Sequence, residues 1–115
     1  MSNVAEIKMG RALTNAVDNE ALARHRWYPI KEGFSATLIS DSLAELDKKQ
    51  RKNTLAIEPF SGSGTTPVEC TRLGVDCLAL EVNPFLAFVG RTKLRQAEPK
   101  KLRVEQDRVL RGLER

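Results

Sequence analysis

The residues best placed to do chemistry lie between Leu55 and Phe85, in the stretch LAIEPFSGSGTTPVECTRLGVDCLALEVNPF. A short apolar run, Thr54–Glu58, ends in a carboxylate and passes into the turn Pro59-Phe60-Ser61-Gly62-Ser63-Gly64. Thr65 and Thr66 then lead into a helical pattern, and a second apolar run, Asp76–Val82, carries the carboxylate of Glu81. In a strand–turn–helix–strand unit, glycines let a ligand approach the backbone at the helix N-terminus. An acid closing the second strand can accept hydrogen bonds from ribose hydroxyls. Glu81 follows Gly64 at a separation close to the roughly 20 residues that this role requires.

What is missing narrows the nucleotide. A Walker loop needs Gly-Lys-Ser/Thr, but Gly64 is followed by Thr65 and Thr66, so no lysine is placed for a β- or γ-phosphate. The dinucleotide fingerprint needs a third glycine where Pro67 stands. Glu58 would lie beside a pyrophosphate and repel it, whereas it would favour a cation. S-adenosylmethionine meets these conditions: it carries adenosine, no phosphate, a sulfonium and an ammonium. Its carboxylate could accept from the N–H groups at the helix start.

The elements that must hold these groups follow from local signals. Thr66-Pro67-Val68-Glu69 reads as a capping box, with Thr66 at the N-cap and Glu69 at the third helical position. That helix should stop at Gly74. Asn83-Pro84 opens another helix over Phe85–Gln96, and Pro99 precedes a basic C-terminal helix. Upstream, Val4–Arg24 carries apolar residues at helical spacings, and HRWYPIKEGFS (His25–Ser35) interrupts that pattern with Pro29 and Gly33. Ser35 is a suitable N-cap for a helix over Ala36–Leu46, with Leu38, Ile39, Leu43 and Leu46 on one face. The basic run Lys48–Lys52 (KKQRK) is read as a solvated connection. Strand, helix, strand, helix from Thr54 onward predicts an α/β fold built on parallel strands.

Composition sets the outer bounds. The chain has 115 residues, 41% hydrophobic and 30% charged, which suits one small domain. Its apolar runs are too short to span a bilayer. The N-terminus lacks the layout of a secretion signal, so a cytoplasmic location is expected. Two cysteines, Cys70 and Cys77, and one histidine make a disulfide scaffold or a metal site improbable, and both cysteines are read as reduced packing residues. The formal charge is +4, and the segment from Arg91 holds nine Lys or Arg against four Asp or Glu. Such an excess could neutralise nucleic-acid phosphates. The simpler reading is a solvated helix, with Leu102, Val109, Leu110 and Leu113 on one stripe and the pairs Arg103/Asp107 and Asp107/Arg111 at i,i+4.

EPFSGSGTT followed by Glu81-Val82-Asn83-Pro84-Phe85 resembles the cofactor motif of amino-group DNA methyltransferases, which act on adenine N6 or cytosine N4. HRWYPIKEGFS resembles the segment that precedes this motif in part of the family and completes the methionine end of the pocket. The resemblance covers about Arg24–Lys93. It implies a partial Rossmann-like, SAM-dependent methyltransferase fold, short of a complete seven-stranded sheet. With the local signals above, the chain divides into three expected parts: a helical segment over residues 1–53, a SAM-binding β-α-β-α unit over 54–96, and a basic helix over 97–115. Glu58, Pro59, Phe60, Ser61, Gly62, Ser63, Gly64, Thr65 and Thr66 would surround the methionine moiety, with Phe34 and Ser35 at its end. Glu81, with Val82 and Asn83, would take the ribose side. Glu58 stands where the family usually has Asp, keeping the charge with a longer reach.

The family's acceptor motif, Asp/Asn/Ser-Pro-Pro-Tyr/Phe, is absent, and Asn83-Pro84-Phe85 is read as a helix start. No catalytic residue is therefore assigned. The chain is expected to be the N-terminal, cofactor-binding portion of a DNA methyltransferase, with DNA as partner and a second chain as one source of the missing half. An RNA methyltransferase fragment and a noncatalytic cofactor-binding or docking remnant remain open. A dinucleotide oxidoreductase is disfavoured by Glu58 and Pro67. His25 is read as structural, and Trp27 and Tyr28 as packing over the pocket edge.

Overall fold

The computed structural model describes residues 16–30 and 33–113. Two 3-10 turns, Val17–Ala21 and His25–Trp27, come first. Helix α1 (Ala36–Ala44) and a short α2 (Lys48–Lys52) lead to strand β1 (Leu55–Glu58). Helix α3 (Thr65–Leu73), strand β2 (Asp76–Ala79), helix α4 (Pro84–Leu94) and helix α5 (Pro99–Leu113) complete the order. The expected helical pattern over Val4–Arg24 falls largely outside the described residues; its described end forms the first 3-10 turn.

The strands pair in parallel, with Leu55 opposite Asp76, Ala56 opposite Cys77, Ile57 opposite Leu78 and Glu58 opposite Ala79. This β1–α3–β2 unit matches the expected α/β arrangement. The pairing continues past the strand ends, where Leu80 N–H donates to the Glu58 carbonyl at 2.9 Å and Ser61 N–H to the Leu80 carbonyl at 2.9 Å. The second exchange turns the chain into the loop, so β2 stops at Ala79 rather than running to Val82.

Alternation puts Ala56, Glu58, Cys77 and Ala79 on the α3 side and Leu55, Ile57 and Leu78 on the other. The buried apolar core is made of Ala36, Val68, Cys70, Val75 and Val89. Burying each valine contributes about 1.5–3 kcal/mol. Cys70 and Cys77 are free thiols facing each other between α3 and β2; burial pushes Cys70 up to about 12, with Cys77 adding to the effect, which fits packing residues that stay protonated.

Helix ends follow the local chemistry with two corrections. Ser35 caps α1, its hydroxyl accepting from Thr37 N–H at 3.1 Å. Asn83 caps α4, accepting from Phe85 and Leu86 N–H with Pro84 in the first turn. Gly74, at φ 72°, closes α3, and Val75 N–H reaches back to the Cys70 carbonyl. The capping box expected at Thr66 does not form. Gly64, at φ 90°, is the N-cap of α3, because its left-handed backbone turns the chain one residue early. The two partners of the expected box are engaged elsewhere: Thr66 with Glu58, and Glu69 with His25 and Arg72. The second correction concerns KKQRK, which is helix α2 rather than a bare connection. Its capping box is Asp47 and Gln50, each side chain meeting the other's backbone N–H at 2.8 Å.

Helix α5 has no buried residue, and Leu102, Val109, Leu110 and Leu113 are all exposed, as a solvated helix requires. Its ion pairs among the described residues are Lys101–Glu98 and Arg108–Glu105 at i,i+3. They replace the expected pairs through Asp107, whose carbonyl instead accepts from Arg111 Nε at 3.3 Å. No helix of the described residues is long and apolar enough to cross a membrane.

Candidate functional site

Parallel pairing brings the C-terminal ends of β1 and β2 side by side, and with them Glu58 and Glu81. Glu58 Oε1 accepts from Phe60 N–H at 2.9 Å, and its Oε2 accepts from the Thr66 hydroxyl at 2.9 Å. One carboxylate therefore spans the loop from its first turn to the start of α3. Glu81 does the same from the other strand: Oε2 accepts from Gly62 N–H at 2.7 Å and Oε1 from Asn83 N–H at 2.8 Å. Charge-assisted bonds of this length are the stronger kind and fix the loop without a ligand. Each carboxylate oxygen still has acceptor capacity left.

The loop lies tight against α4. A Cβ built on Gly64 would stand 3.0 Å from the Gly90 Cα, so Gly64 takes no side chain without movement, whereas a Cβ on Gly90 would meet Gly64 at an ordinary 3.7 Å. Ser63, Thr65 and Thr66 are buried at this junction, and Gly64 N–H donates to the Ser61 carbonyl at 2.9 Å. By contrast, Phe60 is 84% and Val82 98% exposed. These two apolar side chains are open to solvent. A cavity of about 270 Å³ beneath the loop is lined by residues that include Ser61, Gly62, Glu81 and Gly90.

The expected site residues Glu58 through Thr66 and Glu81 through Asn83 are thus gathered at one end of the sheet. Asn83 is engaged as the cap of α4 and as a donor to Glu81. Phe34 and Ser35 serve a junction of their own: the Phe34 carbonyl accepts from Asn19 Nδ2 at 3.0 Å, and Ser35 caps α1. Two further residues of the upstream segment approach the loop and α4. Ile30 Cδ1 lies 3.0 Å from the position of a Cβ on Gly62, and Tyr28 meets Phe85 edge-on at 5.2 Å between ring centroids.

His25 is structural, as read from the sequence. It is buried, and its Nε2 lies 2.8 Å from Glu69 Oε1, while Glu69 Oε2 accepts from Arg72 at 2.7 Å. Burial alone would raise the Glu69 pKa, but hydrogen bonds and charge from Arg72 and His25 outweigh it and hold the carboxyl below its ordinary value. The sequence reading missed Ile30, Gly90 and Lys93. Gly90 carried a signal, being a glycine inside a helical pattern. Lys93 carried none, since its partners lie far away in the chain.

Two carboxylates with spare acceptor capacity stand at the strand ends, beside loop amides and exposed apolar side chains, a set compatible with an adenosine-bearing cofactor. No group of three or more His, Cys, Asp or Glu among the described residues is placed to hold a metal ion.

No family model matches the chain, and no solved structure matches it. Curated proteins do. It is 30% identical over 77 residues to the Type II methyltransferase M.AvaI of Nostoc sp., covering 67% of this chain and 16% of that protein. It is 31% identical over 75 residues to the Type II methyltransferase M.BsoBI of Geobacillus stearothermophilus, covering 65% and 14%. It is 35% identical over 81 residues to the Type II methyltransferase M.MjaII of Methanocaldococcus jannaschii, covering 69% and 14%. The chain thus spans only 14–16% of the length of these relatives.

Proposed function

The chain resembles Type II methyltransferases over about two thirds of its length, and on that premise we propose that it is the S-adenosylmethionine-binding portion of a DNA methyltransferase. The observation that carries this reading is the pair of carboxylates, Glu58 and Glu81, each bonded across the glycine loop at adjacent ends of parallel strands. Glu81 faces the ribose, where its remaining acceptor capacity takes up hydroxyl donors. Glu58 and the Phe60–Thr66 loop hold the methionine end, the carboxylate complementing the ammonium and sulfonium charges. Val82 and Phe60 supply apolar contact. The cofactor supplies the methyl group when bound; these residues bind and orient it.

The parallel pair with α3 and α4 belongs, in this reading, to a Rossmann-like fold, with residues 54–96 as the cofactor unit. The acceptor is an exocyclic base amine, adenine N6 or cytosine N4. This chain holds no Pro-Pro-Tyr-type motif to grip it, so the residues that position the base belong elsewhere, a second chain being one source. DNA is the partner, and the cytoplasm is the compartment.

Titration calorimetry on the 115-residue protein tests the proposal. S-adenosylmethionine should bind, and Glu81→Ala should weaken it about tenfold or more, the loss of a charged hydrogen-bond acceptor. Absence of heat with S-adenosylmethionine, with NADH binding in its place, would overturn it. The protein alone should transfer no labelled methyl group to DNA.

A further inference from the structure

Lys93, on α4, is 1% exposed and among the most deeply buried side chains described. Its ammonium meets two backbone carbonyls, His25 at 3.3 Å and Tyr28 at 3.4 Å, and no carboxylate is paired with it among the described ion pairs. Burial pushes its pKa down. A charge buried without a counter-ion is costly, and an aliphatic residue of similar volume would pack there at least as favourably. An aliphatic residue could not, however, bind two carbonyls of another segment.

The contact is reciprocal. Arg24 Nη1 donates to the Lys93 carbonyl at 2.6 Å, closing the C-terminal end of α4 from the segment that Lys93 holds. Arg24 sits at φ 68°, the one positive φ outside glycine among the described residues, a conformation held against a local cost. His25 is fastened to α3 by Glu69 in addition. The segment so held runs directly on to Tyr28, against Phe85, and Ile30, against Gly62. Phe85 follows the proposed ribose side of the site, and Gly62 donates to Glu81.

Building on the proposed cofactor site, we propose that Lys93 and Arg24 form a clamp that positions Tyr28–Ile30 as a wall on the glycine loop, and that cofactor affinity depends on it. Lys93 is a positioning residue: it acts through Tyr28 and Ile30 and sits apart from the loop amides and carboxylates. Its retention as a buried cation follows from holding that wall rather than from stabilising the fold.

The test is Lys93→Met, which keeps the volume and removes the ammonium, in the full chain. Trp27, the only tryptophan, lies inside the clamped segment, so its emission reports the segment's position independently of any ligand. The expected result is a shift of Trp27 emission and S-adenosylmethionine binding weakened about tenfold, with a melting temperature no lower than that of the parent. Arg24→Gln, at a half-buried position, opens the other half of the clamp and should reproduce both changes if Lys93→Met folds poorly. Val89→Ala, a core truncation on the same helix, should lower the melting temperature and leave Trp27 emission in place. Unchanged Trp27 emission in both clamp variants would overturn the proposal. So would an affinity loss no greater than that of Val89→Ala. If the parent chain binds no cofactor, the proposed function fails, and the clamp itself still stands or falls on the Trp27 shift.

Discussion

On one side of the β1–β2 pair lie Ala56, Glu58, Cys77 and Ala79, half-buried against α3; on the other, Leu55, Ile57 and Leu78 are 58%, 63% and 50% exposed. The larger aliphatic side chains face solvent and the smaller ones face the interior, the reverse of the usual allocation. The covered side holds its shape mainly through directed polar contacts: Glu58 to Thr66, Glu81 to Gly62, His25 to Glu69 and Lys93 to the carbonyls of His25 and Tyr28. Those contacts demand particular atoms at particular distances. The carboxylate and loop contacts of the candidate site draw on Glu58 of the covered side and on no side chain of Leu55, Ile57 or Leu78.

Mutation should expose this asymmetry. The largest effect is expected at Gly64, where an alanine meets both a strained φ of 90° and the Gly90 backbone. Gly64→Ala should cost about 3 kcal/mol in denaturant unfolding and loosen the loop. Glu69→Ala comes next, at about 2 kcal/mol, because it strands the buried His25 ring and frees Arg72. The Glu69 pKa is lowered in the folded chain, so the stability it contributes is present above its ordinary value of 4.5 and is lost as pH falls through the lowered value. Unfolding measured against pH should therefore show an acid limb that is shallower in Glu69→Ala. The smallest effect is expected on the open side, where Ile57→Ser should change stability by no more than about 0.5 kcal/mol. A large loss there would mean that the exposed face contributes to the fold, and the contrast would collapse.

The same division separates what the residues reveal in sequence from what they do not. Strands β1 and β2, the close of α3 at Gly74 and the Asn83-Pro84 opening of α4 were legible because their signals lie within a few residues of one another. The gathering of the Glu58–Thr66 loop with Glu81 was legible for the same reason, through the strand–helix–strand order. Thr66 and Glu69 fit a capping box locally, yet the left-handed Gly64 took the cap and His25, 44 residues away, took the glutamate. Asp47 and Gln50 carried a true capping box that the basic run between them concealed. The upstream segment was recognisable as a unit, but the approach of Ile30 to Gly62 and of Tyr28 to Phe85 was not. That approach is set by Lys93 and Arg24, whose partners no local pattern can announce.

The span of the clamp has a consequence for how the molecule assembles. Every rung of the β1–β2 ladder closes within one strand–helix–strand excursion, whereas the bonds of Arg24 and Lys93 join residues 69 and 68 positions apart. Closing a longer loop surrenders more chain entropy before any contact rewards it. The glycine loop and its two carboxylates close over spans of up to 19 residues, and the N-terminal wall over more than three times that. The docking of Tyr28 and Ile30 thus carries a loop-closure cost that the loop and its carboxylates do not share.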